Sequence, residues 1–221
     1  MKIMGKDILE YKHFLILLFF IPLQGLFFYC EKTVIPKHYM FSRIDMYIPF
    51  MKEFIIPYIL WYVYMIFGFV YLGFKSKKDF YKLFFFIFSG MAICCIIYLV
   101  FPNAQNLRPI ITDKDVFSLI IKSIYTIDTP TNVAPSIHVL NSIAVHAALV
   151  NYSRFGKDRL ACIISFISAC IISASTVFVK QHSIQDVAWA VVLSVFLYGV
   201  IFGIPKIIES KNIPAKEGIN R

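Results

Sequence analysis

A chain of 221 residues with 59% hydrophobic and 16% charged residues, at a mean hydropathy of +0.71, has more apolar surface than one soluble core can bury. Its net charge of +9 would suit a nucleic-acid partner only if it were gathered on one face of a soluble domain, and it is spread over short loops between apolar blocks. These facts exclude a soluble enzyme and a nucleic-acid-binding module, and they predict an all-α, polytopic membrane bundle folded as one domain.

Six apolar blocks run near 13–30, 54–74, 83–101, 137–152, 160–179 and 187–205. Each approaches the roughly 20 residues that cross ~30 Å of hydrocarbon at ~1.5 Å per residue. Lys2, Lys6 and Lys12 precede the first block, as in a signal peptide, but the end of that block from Gly25 to Cys30 offers no small-x-small cleavage site. The block is expected to remain as an anchor. Residues 31–53 carry Pro36, Pro49 and alternating aromatic and polar side chains, which predicts a short helix lying in the membrane interface. The second block stops at Lys75, Lys77 and Lys78, and residues 102–134 form the longest polar stretch. Within that stretch, 116–125 is apolar but too short to span, and a half-buried helix over the polar end is expected. Residues 153–159 make a basic turn, and 209–221, with Pro214 and Gly218, reads as a disordered tail.

Six crossings place the N-terminus, the 75–82 loop, the 153–159 loop and the tail on one side, with 14 Lys/Arg against 6 Asp/Glu. The opposite side has 8 against 7. The basic excess therefore follows the positive-inside bias, which predicts cytoplasmic termini and fits a bacterial plasma membrane.

The same count sends Arg108, His138 and His182 to the outer face. Asp186 follows His182 by four residues, so on a helix the carboxylate can hold one ring nitrogen and leave the other as a nucleophile. Pro135 and Ser136 stand where the fourth block should begin, and free backbone N–H groups at a helix start favour an anion. Arg108 offers a planar fork for phosphate oxygens and Lys180 a compact charge. Two histidines, two cations and a helix start point to phosphoryl transfer.

Pro135-Ser136-Ile137-His138, then Ser175, His182 and Asp186, resembles the second and third signature motifs of the type 2 phosphatidic acid phosphatase superfamily, and Leu107-Arg108-Pro109 resembles the end of the first. The run from Asp128 to His138, with Phe178 to His182, is similar to the branch that includes inositol phosphorylceramide synthase. The likeness spans about 40–205 in layout. It implies that His182 attacks phosphorus, Asp186 orients it, His138 protonates the leaving oxygen, and Arg108 and Ser136 hold the phosphate, with no metal or other cofactor. Three positions depart from the motifs: Phe101 stands at the first-motif lysine, Ile137 at the second-motif glycine and Thr176 at the third-motif arginine. Lys180 is expected to replace part of the missing charge.

The resulting expectation is a lipid phosphatase acting at the outer face on a lipid-linked phosphate or pyrophosphate that enters from the bilayer. The alternatives are a phosphotransferase that moves a phosphorylated headgroup between lipid and an alcohol, a proton- or ion-coupled transporter using the same residues as a relay, and a non-catalytic adaptor. His13 and His38 read as interfacial, His146 as a helix-packing residue, and Asp128, Thr131 and Asn132 as turn and capping residues. The five cysteines, in or at the ends of blocks and without CxxC spacing, read as small apolar residues.

Overall fold

A computed structural model describes residues 2–3, 6–205 and 208. The tail expected over 209–221 lies outside the described residues. Helix makes up 76% of the protein, and among the described residues the strands are two-residue pieces, so the all-α expectation holds.

A 3-10 helix, Ile8–Phe19, runs into α1, Phe20–Thr33. There follow α2, Ile55–Lys75; α3, Lys77–Val100; α4, Val116–Ile127; α5, Ile137–Asn151; α6, Ser153–Gly156; α7, Arg159–Phe178; and α8, Ile184–Tyr198, which continues as one turn of π-helix, Gly199–Gly203. Short polar side chains set most of these starts. Ser76 caps α3 by accepting from Asp79 N, Asp115 caps α4 through Phe117 N and Ser118 N, and Asp158 caps α7 through Ala161 N.

Five helical stretches are long and apolar enough to cross a membrane: Glu10–Thr33, Lys52–Lys75, Lys77–Val100, Arg159–Phe178 and Ile184–Gly203. The block expected over 137–152 is instead the 15-residue α5, about 22 Å long. Its position accounts for that length. It packs against α2, α3, α7 and α8 together, with Leu140, Ala144, Val145 and Ala148 fully buried, so protein surrounds it on all sides while the longer helices keep an exposed face. Those helices turn apolar side chains outward, including Ile59, Val63 and Ile66 on α2 and Ile163, Ile164 and Ile167 on α7. An exposed apolar belt of this kind marks a surface meant for lipid.

The helix expected within 31–53 is reduced to two single 3-10 turns, Arg43–Met46 and Lys52–Phe54. Pro36 and Pro49 divide the stretch, and it is tied down by pairing of His38–Tyr39 with Asn103–Ala104 and by Met51 N donating to Phe178 O. The apolar stretch 116–125 is α4 as expected: Ile121 packs with Ile55, Tyr58 and Val179, while Val116, Leu119 and Ile127 stay exposed. His13 is buried rather than interfacial, its Nε2 bonded to Gly73 O at 2.9 Å. His146 bonds Ser165 Oγ at 3.0 Å, and the five cysteines are free thiols, Cys30, Cys94 and Cys95 in the core.

The α3–α5 contact depends on Gly90, where an added Cβ would lie 2.5 Å from Leu140 Cδ2. Gly25, in α1, has nothing within 4 Å of the same position. Gly90→Ala should lower the thermal midpoint in detergent, with an overpacking cost of about 1–3 kcal/mol. Gly25→Ala should raise the midpoint, with a stability gain of about 0.5–1 kcal/mol, since only helix propensity changes there.

Candidate active site

The chain segments between α7 and α8, between α3 and α5, and between α1 and α2 meet at one end of the bundle. Residues 179–183 are clamped from several sides. Thr176 O accepts from both Gln181 N and His182 N, Tyr125 Oη donates to Val179 O at 2.6 Å, and Gln105 Nε2 donates to Lys180 O at 2.9 Å. Burial pushes the Tyr125 phenol up to about 12, which keeps it a neutral donor.

Asp45, 2% exposed, anchors the start of α8. Its carboxylate accepts from Ser183 Oγ at 2.6 Å, Ile184 N at 2.9 Å and Ser42 N at 2.7 Å. Ser183 caps α8 through Gln185 N, and Asp186 completes a reciprocal cap by accepting from Ser183 N at 2.8 Å. The same Asp186 Oδ2 lies 3.3 Å from His182 Nδ1. One fully buried carboxylate thus sets both the helix start and the imidazole orientation, and leaves His182 Nε2 without a protein partner among the described residues.

Ser136 caps α5 by accepting from Val139 N, and its own N–H donates to Asp186 O at 3.2 Å, which joins the two histidine-bearing helix starts. Tyr98 Oη fixes the preceding carbonyl, Pro135 O, at 2.7 Å. His138, in the first turn of α5, faces His182 with ring centroids 5.9 Å apart. Tyr58 and Trp61 flank it, with ring centroids 4.7 and 4.6 Å away. Neither His138 nitrogen has a hydrogen-bond partner among the described residues. Both histidines line a cavity of about 270 Å³, walled by Phe27 and Phe28 of α1, Trp61 and Tyr62 of α2, and Met91 and Tyr98 of α3.

His138, His182 and Asp186 therefore come together as the sequence predicts. The three residues expected to hold phosphate do not line this cavity. Lys180, at φ 55°, donates to Asp45 O at 3.0 Å and Ile48 O at 2.6 Å, and is 7% exposed. It pins the 43–48 turn to the His182 loop, and burial lowers its pKa while Asp45 opposes the shift. Ser136 is wholly buried as a cap. Arg108 stacks 4.2 Å over Tyr125 and donates to Tyr125 O, Asp128 O and Gln181 Oε1, with Nε unpaired. Burial lowers its pKa, and the Asp128 carboxylate opposes this. Of the three motif departures, Phe101 stacks on His38 at 4.0 Å, Thr176 supplies the loop-clamping carbonyl and Ile137 lines the cavity.

Sequence reading missed Asp45, Tyr58, Asp128, Asn132 and Gln181. Asp128 and Asn132, read as turn residues, line the cavity, and Asp128 Oδ2 accepts from Tyr58 Oη at 2.8 Å and Gln181 Nε2 at 3.2 Å. The available signal was the place of Gln181 beside His182 and of Asn132 between two prolines. Among the described residues no three His, Cys, Asp or Glu side chains converge to hold a metal ion. No family model, curated protein or solved structure matches this chain.

The Asp45 anchor should be a large stability term for the His182 loop. Asp45→Ala is expected to destabilise the protein by roughly 2–4 kcal/mol, because three donors lose a charged acceptor in a buried setting. Thermal unfolding in detergent measures this. A midpoint unchanged within error would show that the loop is held by the Thr176 and Gln105 bonds alone.

Proposed function

We propose that this chain is a membrane-embedded phosphatase that hydrolyses a lipid-linked phosphate or pyrophosphate at the outer face through a phosphohistidine on His182. The reading rests above all on His182, fixed through Nδ1 by Asp186 with Nε2 free, opposite an unpartnered His138 across one cavity. The motif resemblance supports it from the side of sequence. Phe28 and Tyr62 both line the cavity and reach the apolar exterior, which suits a substrate arriving from lipid. In this reading α5, with its flanking turns, makes the fourth of six crossings, and the basic loops and both termini lie in the cytoplasm of a bacterial-type plasma membrane.

Asp186 holds the Nδ1 proton, so the Nε2 lone pair points at phosphorus. As the P–N bond forms, the bond from phosphorus to the leaving oxygen breaks, and protonated His138 gives that oxygen its proton. Neutral His138 then takes a proton from water, whose oxygen attacks phosphorus. Inorganic phosphate departs and His182 is restored. With no Lys or Arg lining the cavity, the phosphoryl oxygens are held by the first-turn N–H groups of α5 and by the imidazolium. Arg108 acts as a positioning residue through Gln181 and Asp128. Because the histidines stand at helix ends, beside one cavity, chemistry is favoured over a transport relay.

Purified protein offered phosphatidate or a polyprenyl pyrophosphate should release phosphate. His182→Ala should abolish release, and His138→Ala and Asp186→Asn should each slow it by about 10²–10⁴-fold. Release unchanged in His182→Ala would rule the mechanism out.

A further inference from the structure

Asp128 and Asn132 stand in the cavity wall beside the histidines and have no part in the hydrolytic steps above. Asn132 is 4% exposed, yet among the described residues neither its Nδ2 nor its Oδ1 has a hydrogen-bond partner. A buried carboxamide with both ends open is costly and uncommon in a folded protein, unless a ligand or water completes it. Its placement is firmly determined. The backbone sits at φ 55°, a region asparagine tolerates, and Asn132 N donates to Asn103 O at 2.7 Å. Fully buried Asn103 then accepts from Val133 N and Ala134 N through Oδ1, both at 2.8 Å, and donates to Ala134 O at 3.0 Å. The surroundings thus hold a left-handed residue whose side chain is left to the cavity.

Asp128 narrows the chemistry. One carboxylate oxygen is occupied by Tyr58 and Gln181, while Oδ1 has no partner among the described residues. A carboxylate in a wall that among the described residues holds no lysine or arginine disfavours a further anion beside it. A carboxamide presents N–H donors beside a carbonyl acceptor, and a hydroxyl, which both donates and accepts, can satisfy either end. We infer that Asp128 and Asn132 form a subsite for a neutral, hydroxyl-bearing group next to the phosphoryl position. The hydroxyls belong either to a free alcohol acceptor or to the headgroup of the lipid itself.

The inference rests on the phosphohistidine reading for its consequence. An alcohol held there would attack the phosphohistidine in place of water: its O–H proton passes to neutral His138, the P–O bond forms, the P–N bond breaks, and His182 is regenerated with a phosphate ester as product. A lipid hydroxyl held there would instead raise the specificity for that lipid. The subsite therefore decides where the phosphoryl group goes or which headgroup is accepted, while His182 decides that it moves at all.

Binding and transfer are tested separately, so that failure of one reading does not hide the other. In the catalytically silenced His182→Ala protein, saturation-transfer NMR should detect glycerol more strongly than propan-1-ol, and adding Asn132→Asp should weaken the glycerol signal at least fivefold. Asp tolerates the same backbone region and removes the donor, and a circular dichroism spectrum and thermal midpoint matched to the parent establish folding. Asn132→Gly, which also tolerates the backbone, serves if Asn132→Asp fails to fold. In protein with His182 intact, the ratio of phosphoglycerol to inorganic phosphate should drop at least fivefold in the Asn132 variant, a ratio indifferent to total activity. If free glycerol is unaffected but preference for phosphatidylglycerol over phosphatidate drops to the same extent, the hydroxyl belongs to the lipid and the subsite stands. If neither glycerol binding nor headgroup preference moves, Asn132 holds only water and the inference is overturned.

Discussion

Asp186 Oδ2 accepts from Ser183 N and also meets His182 Nδ1, and the geometry of the polar end follows from that shared oxygen. A helix start leaves N–H groups that must find partners, and a buried carboxylate needs donors more than it needs bulk. Placing Asp at the third helical position of α8 meets both needs and orients the imidazole as a by-product. The backbone carbonyl of the same residue accepts from Ser136 N, so the start of α5, carrying His138, is registered against the start of α8. Asp45 then closes the arrangement from the segment between α1 and α2 through Ser183 and Ile184.

The charge distribution is the less expected part. A site for a phosphoryl group should present fixed cations, yet Arg108 and Lys180 spend their donors on backbone carbonyls and on Gln181. Lys180 works as a structural tie between residues 43–48 and the His182 loop. Arg108 sits behind the cavity wall, bonded to the Asp128 backbone carbonyl and to Gln181. Among the described residues the cavity is left with two imidazoles, Asp128, Asn132 and Gln24 in an otherwise apolar and aromatic wall. Such a wall has low dielectric, where dipoles and a single imidazolium act more strongly than they would in water.

Much of the fold was legible because its periodicities are strong. Apolar blocks of near-spanning length marked the five helices long and apolar enough to cross a membrane, and the 116–125 segment, too short to span, announced α4. The 137–152 block matches α5 to within a residue of its bounds, but the helix's 15 residues fall short of the span expected there, and only its enclosure by four helices explains the length. For the site, residues four apart on one helix, His182 and Asp186, could be paired from spacing alone. Contacts such as Asp45 with Ser183, or Asp128 with Gln181, join residues 138 and 53 positions apart, and no local pattern encodes them. Lys180 misled for the same reason. Its nearness to His182 in sequence says nothing about which way a left-handed residue sends its side chain.

The central claim is that His182 becomes covalently phosphorylated. Rapid acid-free quench of the protein with phosphatidate labelled at phosphorus, followed by peptide mass spectrometry under alkaline conditions, reads this directly. The account predicts an acid-labile, alkali-stable phosphoryl group on His182 that forms and decays within the turnover time and is absent from His182→Ala. Label found on another residue, or phosphate released in step with turnover and never attached to His182, would contradict it.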